Sequence, residues 1–116
     1  AVSYGSYLLL QALSNLEPYQ GSILLLSPVL GSVTNGESTR HFSLPRSDKL
    51  QHLMDEGLFP KPSKIEIHVG DNDWQSPCER AEEFALSMGG ECFVAPDTGH
   101  DLGKDYVSPI LERWCP

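Results

Sequence analysis

Ile65-Glu66-Ile67-His68-Val69-Gly70-Asp71-Asn72-Asp73-Trp74-Gln75-Ser76-Pro77-Cys78-Glu79 changes character twice within one short stretch. Ile65, Ile67 and Val69 alternate with Glu66 and His68, the two-residue period of a strand. Gly70-Asp71-Asn72-Asp73 is a turn signal. Ser76-Pro77-Cys78-Glu79 predicts a helix start, with Ser76 at the N-cap, Pro77 at the first position and Glu79 at the third. Beyond it Ala81, Phe84, Ala85 and Met88 share one helical face, and Gly89-Gly90 stops the helix.

The same alternation of strand and helix continues in both directions. Downstream, Cys92-Phe93-Val94-Ala95 reads as a strand, Pro96 to Asp101 as a loop, and Val107, Ile110, Leu111 and Trp114 as one face of a last helix. Pro109 fits only a first turn comfortably, so the start of that helix stays open between Ser108 and a position further upstream. Upstream, Ile23-Leu24-Leu25-Leu26 is a short apolar run closed by Ser27-Pro28, as in a central strand covered on both faces. Before it, Ser6 to Leu16 is apolar nearly all round, as in a helix buried on more than one side. Residues 31–64 are loop-like, with one helix that puts Leu50, Leu53 and Met54 on a face, Ser47 at its cap and Gly57 at its end. The expected fold class is α/β, a parallel sheet flanked by helices, with about three strands and four helices.

Composition narrows the function. The 116 residues carry 40% hydrophobic and 21% charged residues, the balance of an ordinary globular domain. The net charge is -8, and the eight basic residues form no stripe, so nucleic acid and anionic membrane surfaces are poor partners. No apolar run approaches the roughly 20 residues of a membrane span. Cys78, Cys92 and Cys115 make neither a CxxC pair nor a disulfide framework, which fits a reducing, cytoplasmic setting. His41, His52, His68 and His100 show no metal-ligand spacing, and no metal or cofactor is expected.

Three residues carry candidate chemistry. Ser3 lies in Ala1-Val2-Ser3-Tyr4-Gly5, immediately before the apolar helix. A serine on a sharp strand-to-helix turn needs small neighbours two residues away, exposes its hydroxyl, and aims the next backbone N–H, that of Tyr4, at a developing oxyanion. Read alone, the same serine fits a helix N-cap. Asp73 ends the turn after a strand, where a carboxylate can orient a histidine; Asp71 competes with it, and both fit simple turn formers. His100, between Gly99 and Asp101, sits in the loop after the last strand and fits an exposed loop histidine equally well. Together they occur in the order Ser, Asp, His, each just past a predicted strand. In an open parallel sheet that places all three at one edge.

Val2-Ser3-Tyr4-Gly5 followed by Leu8-Leu9-Leu10 resembles the nucleophile elbow of the α/β-hydrolase superfamily, with Ala1 in place of the usual first glycine. Gly70-x-x-Asp73 with Pro77 beyond resembles its acid turn, and Gly99-His100 its histidine loop. The resemblance covers essentially the whole chain. It implies a serine hydrolase in which Ser3 is the nucleophile, His100 the general base and then acid, and Asp73 the residue that fixes the imidazole. The Tyr4 backbone N–H would be one oxyanion donor. The substrate would be a small acyl compound, an ester, thioester or related acyl bond, with amides open as well.

Members of that superfamily carry strands and helices before the nucleophile. The resemblance therefore implies that residues 1–116 are the C-terminal part of one domain, with its N-terminal half as a partner and the second oxyanion donor in that half. Lack of one donor costs about 10²–10³ in turnover. Residues 31–64 occupy the place of a short cap, where Leu44, Leu50, Leu53, Met54, Leu58 and Phe59 either line an acyl pocket or cover the sheet. A non-catalytic ligand-binding or interaction module of the same fold is the alternative. A nucleotide-binding domain would want a glycine-rich turn of the GxGxxG type, which Gly70-Asp71-Asn72-Asp73 lacks. Cys78, at a helix start, is either an activated thiol or a structural one.

Overall fold

Short apolar runs separated by amphipathic helices do assemble into a parallel sheet. The computed structural model describes residues 1–17, 20–31, 33–34, 41–42 and 47–115. Its central sheet has three parallel strands in the order β1 (Ser22–Leu26), β4 (Lys64–Gly70) and β5 (Glu91–Ala95). Ile23 pairs with Ile65 and Leu25 with Ile67; across the other side of β4, Ile67 pairs with Cys92 and Val69 with Val94. Val2 adds a parallel bridge to Leu26, so the residues before Ser3 run alongside β1 on its free side. Four helices accompany the sheet: α1 (Tyr4–Leu13), α2 (Ser47–Asp55), α3 (Cys78–Ser87) and α4 (Lys104–Trp114). A separate antiparallel pair, β2 (Val33–Thr34) with β3 (His41–Phe42), lies in the stretch read as loop.

One face of the sheet packs Ile23, Leu25, Ile65, Ile67 and Val69 against Tyr7, Leu10 and Leu13 of α1 and Ala81, Phe84, Ala85 and Met88 of α3. On the other face Leu26 and Ala95 meet Leu102, with Tyr106 and Val107 of α4. Here the alternation of β4 is misleading. Glu66 and His68 are buried, not solvent-facing, because α4 covers them. The Glu66 carboxylate accepts both guanidinium nitrogens of Arg113 (3.0 and 2.7 Å) and the Trp114 indole N–H (3.1 Å). His68 stands between Glu66 Oε2 and the Tyr106 hydroxyl, 2.8 Å from each. A buried carboxylate is tolerated only when paired in this way.

Helix ends are where local sequence and structure part company. Gly57 and Gly89 take positive φ, and the 6→1 bonds Leu58 N–H to Leu53 C=O and Gly90 N–H to Ala85 C=O close α2 and α3 as expected. The start of α3 differs: Pro77 is the N-cap and Cys78 the first helical residue. The Ser76 N–H is drawn to Asp73 Oδ1 (3.1 Å), which prolongs the turn by one residue. Ser47 is likewise inside α2 and not before it. α4 begins at Lys104 and holds Pro109 in its interior, and Leu111 lies on its exposed side. α1 buries its Ser6, Tyr7, Leu10 and Leu13 face; Leu8 and, beyond the helix, Leu16 are exposed, where the sequence predicts burial on more than one side.

No helix among the described residues is long and apolar enough to cross a membrane. Of the segment expected as a cap, residues 32, 35–40 and 43–46, including Leu44, lie outside the described residues. Five of the apolar side chains expected in a cap or pocket are described. Leu50 and Phe59 are buried in the core cluster, Phe59 edge-on to Phe84 of α3, Leu53 and Met54 pack at the margin of that cluster, and Leu58 is exposed.

Candidate active site

The turns after the Val2 bridge, β4 and β5 meet at one edge of the sheet, and each delivers one of the three side chains. Ser3 follows Val2 with φ 54° and ψ −127°, left-handed backbone that a side chain occupies at a cost of about 1–3 kcal/mol. Four backbone bonds hold it there. Its N–H donates to Leu26 C=O (3.0 Å), its C=O accepts from Ser6 (3.0 Å) and Val29 (3.2 Å), and Ala1 C=O accepts from Leu26 (3.0 Å). The size rule at Gly5 has a different outcome. A Cβ there would meet nothing within 4 Å, so the described residues do not demand glycine at that position.

Asp73 is buried, and its two carboxylate oxygens have separate tasks. Oδ1 accepts the backbone N–H groups of Gln75 (2.9 Å) and Ser76 (3.1 Å). Oδ2 lies 2.7 Å from His100 Nδ1. The opposite ring nitrogen, Nε2, is 2.6 Å from Ser3 Oγ. A continuous chain of hydrogen bonds thus runs from a buried carboxylate through an imidazole to a hydroxyl, its two links joining residues 27 and 97 positions apart in sequence. The Asp73 side chain is wholly inaccessible, whereas that of His100 keeps 28% exposure, so the imidazole has one face open to a reactant.

Asp71, the competing acid, does something else. Its carboxylate accepts the N–H groups of Asp97 and Thr98, both at 3.0 Å, and these bonds hold its carboxyl below the usual aspartate range. Asn72 N–H donates to Thr98 C=O (2.9 Å), and a Cβ on Gly70 would run into the Thr98 and Gly99 carbonyls. Gly70 and Asp71 therefore seat the loop that carries His100. The Gly70 requirement is legible in the acid-turn motif. The Asp71 contact carried no signal of its own.

The Tyr4 N–H is the first of α1 and so has no carbonyl partner within the helix. The Tyr4 ring stacks on Tyr7 at 5.9 Å, away from any chemical task. Beside Ser3 and His100 a cleft of about 350 Å³ is lined by Val2, Leu26, Leu102 and Val107, with Asp101 at its rim. The described leucines of the expected cap, Leu50, Leu53 and Leu58, are not among the residues that line it. Among the described residues no group of three or more His, Cys, Asp or Glu side chains is arranged to hold a metal ion. Cys78 is half-buried beside the core, and burial pushes the Cys92 thiol up to about 11, the reverse of an activated thiolate.

No family model matches the chain, and neither a curated protein nor a solved structure shows significant similarity to it.

Proposed function

We propose that the chain carries the reactive centre of a serine hydrolase of the α/β-hydrolase type, acting on an ester, thioester or related acyl bond of a small molecule. The observation that carries this reading is the convergence of Ser3 Oγ, His100 Nε2 and Nδ1, and Asp73 Oδ2 through bonds of 2.6 and 2.7 Å from three separate turns. A structural serine does not need a histidine, and a structural histidine does not need a buried carboxylate behind it. The strand-end arrangement supports the same superfamily.

In this mechanism Ser3 Oγ adds to the acyl carbon while His100 Nε2 takes its proton. Asp73 keeps the Nδ1–H tautomer and stabilises the imidazolium. The Tyr4 N–H faces the carbonyl oxygen as it gains charge. The alcohol or thiol departs with the proton from His100, which leaves an acyl-serine. Water then gives a proton to His100 and its oxygen to the acyl carbon, and Ser3 regains its hydrogen as the acid leaves. The apolar side chains beside Ser3 suit an acyl or alkyl group.

Treatment of the natural full-length protein with a fluorophosphonate, followed by peptide mass spectrometry, tests the reading. The expected adduct is on Ser3 and is absent from Ser3→Ala. A folded protein that gives no adduct sinks the hydrolase and leaves a ligand-binding module of the same fold.

A further inference from the structure

Ser27 combines three properties that ordinary strand-end residues lack. It is 2% exposed, and its φ of 48° belongs to backbone where glycine would be relaxed and a side chain costs about 1–3 kcal/mol. Its hydroxyl donates to the carbonyl oxygen of His100 at 2.7 Å, across 73 positions of sequence. Its own N–H is fixed on His68 C=O at 2.8 Å, so the hydroxyl projects from an anchored point at the end of β1.

The surrounding backbone gives that contact a purpose. Leu26 C=O accepts the Ser3 N–H, and Val29 N–H donates to Ser3 C=O. Residues 26–29 thus hold the main chain of Ser3 on one side and, through the Ser27 hydroxyl, the main chain of His100 on the other. The other described hydrogen bonds that tie the main chain of the histidine loop to the sheet, from Asp71 and Asn72, stop at Thr98. Gly99 follows with no side chain to pack. The Ser27 hydroxyl is the contact that reaches the backbone of His100 itself.

We infer that Ser27 is a positioning residue that sets the distance between Ser3 Oγ and His100 Nε2 by tying both main chains to the end of β1. The inference rests on the hydrolase reading for its effect on rate, but the geometry it predicts does not. A residue kept only for the turn would be glycine, which removes the strain. The serine is explained by its hydroxyl.

Two variants separate hydroxyl from strain. Ser27→Ala loses the hydroxyl and keeps the strained backbone; Ser27→Gly loses the hydroxyl and relieves it. In the natural full-length protein both are expected to slow fluorophosphonate labelling of Ser3 by about 10- to 100-fold, the scale of a misplacement near 1 Å. Ser27→Gly is expected to melt no lower than Ser27→Ala. The readout independent of turnover is the Nδ1–H proton of His100 in a ¹⁵N-histidine NMR spectrum, assigned by its loss in His100→Ala. It is expected to broaden or shift in both Ser27 variants. Altered resonances with no labelling even of the wild type would retain the positioning role and reject the hydrolase. Unchanged resonances, or labelling within threefold of wild type in both folded variants, would overturn the role of Ser27.

Discussion

Replacement of Asp73 by asparagine is the sharpest perturbation, because the structure dictates which way the amide must point. Oδ1 accepts two backbone N–H groups, from Gln75 and Ser76, and only an oxygen can do so. The asparagine carbonyl must therefore stay at that position, and its NH₂ must face His100 Nδ1 across the 2.7 Å contact. An NH₂ is a donor, so Nδ1 must become the acceptor and the ring proton must move to Nε2. His100 would then donate to Ser3 Oγ and could no longer take its proton. Packing is nearly unchanged, since the two side chains are isosteric and both backbone bonds survive. In hydrolases with this arrangement the wrong tautomer costs about 10⁴ in turnover, equivalent to about 5.4 kcal/mol of transition-state stabilisation. The assay is kcat and kcat/KM on an activated aryl ester, with thermal unfolding as the control for folding. A fall of about 10⁴ in both constants with little loss of stability is expected. Turnover within tenfold of the unsubstituted protein, with Ser3 still the labelled residue, would refute the assignment of Asp73 to the imidazole.

Three further outcomes follow from neighbouring contacts. Gly70→Ala drives a Cβ into the Thr98 and Gly99 carbonyls, so a loss of about 1–3 kcal/mol in urea unfolding is expected together with slower labelling of Ser3. Asp71 has its carboxyl lowered by the Thr98 and Asp97 N–H groups; its grip on the loop is complete above the ordinary aspartate pKa and lost as pH falls through the depressed value, so Asp71→Asn is expected to flatten the acid limb of thermal stability. Glu66 is held down to about 2 from 4.5, first by its Arg113 bonds, which amounts to about 3 kcal/mol of stability at neutral pH. That contribution is present above about pH 4.5 and disappears as pH falls towards 2, so Glu66→Gln should lower unfolding free energy at pH 7 and much less near pH 2.

The strand-and-helix order was legible because it depends on local periodicity and on glycine stops. The meeting of Ser3, Asp73 and His100 was legible because parallel strands send every following turn to one edge. What escaped depends on contacts between distant segments. Ser27 read only as the end of an apolar run, since nothing in Ser27-Pro28 specifies a bond 73 positions away. Glu66 and His68 read only as the alternate positions of a strand, because a two-residue period does not say whether a helix covers the second side. Arg113, Trp114 and Tyr106 acquire their roles only when α4 is laid across β4. The Ser76 cap failed for a local reason: the Asp73 carboxylate, three residues earlier, took its N–H. The leucines of residues 31–64 offered two destinations, and hydrophobicity alone does not choose between a core and a pocket.

The distribution of backbone strain makes an independent argument for function. Among the described residues the non-glycine positions with positive φ are Ser3, Ser27 and Asp97. Ser3 follows the segment bridged to β1, Ser27 follows β1 itself, and Asp97 comes two residues after β5. All three therefore stand at the same edge of the sheet. At about 1–3 kcal/mol each, they together oppose folding by an amount comparable with the whole net stability of a small domain, about 5–15 kcal/mol. A turn whose only task was to reverse the chain would reach the same φ with glycine at no such cost. Two of these residues make a side-chain bond to His100 that glycine would lack, and the third makes a backbone bond at the base of its loop. Ser3 presents Oγ to Nε2, Ser27 presents Oγ to the His100 carbonyl, and Asp97 turns its N–H onto Asp71 at the root of the loop. Strain concentrated on one edge, around one histidine loop, supports the proposed preorganised centre over a passive binding surface, which does not require it.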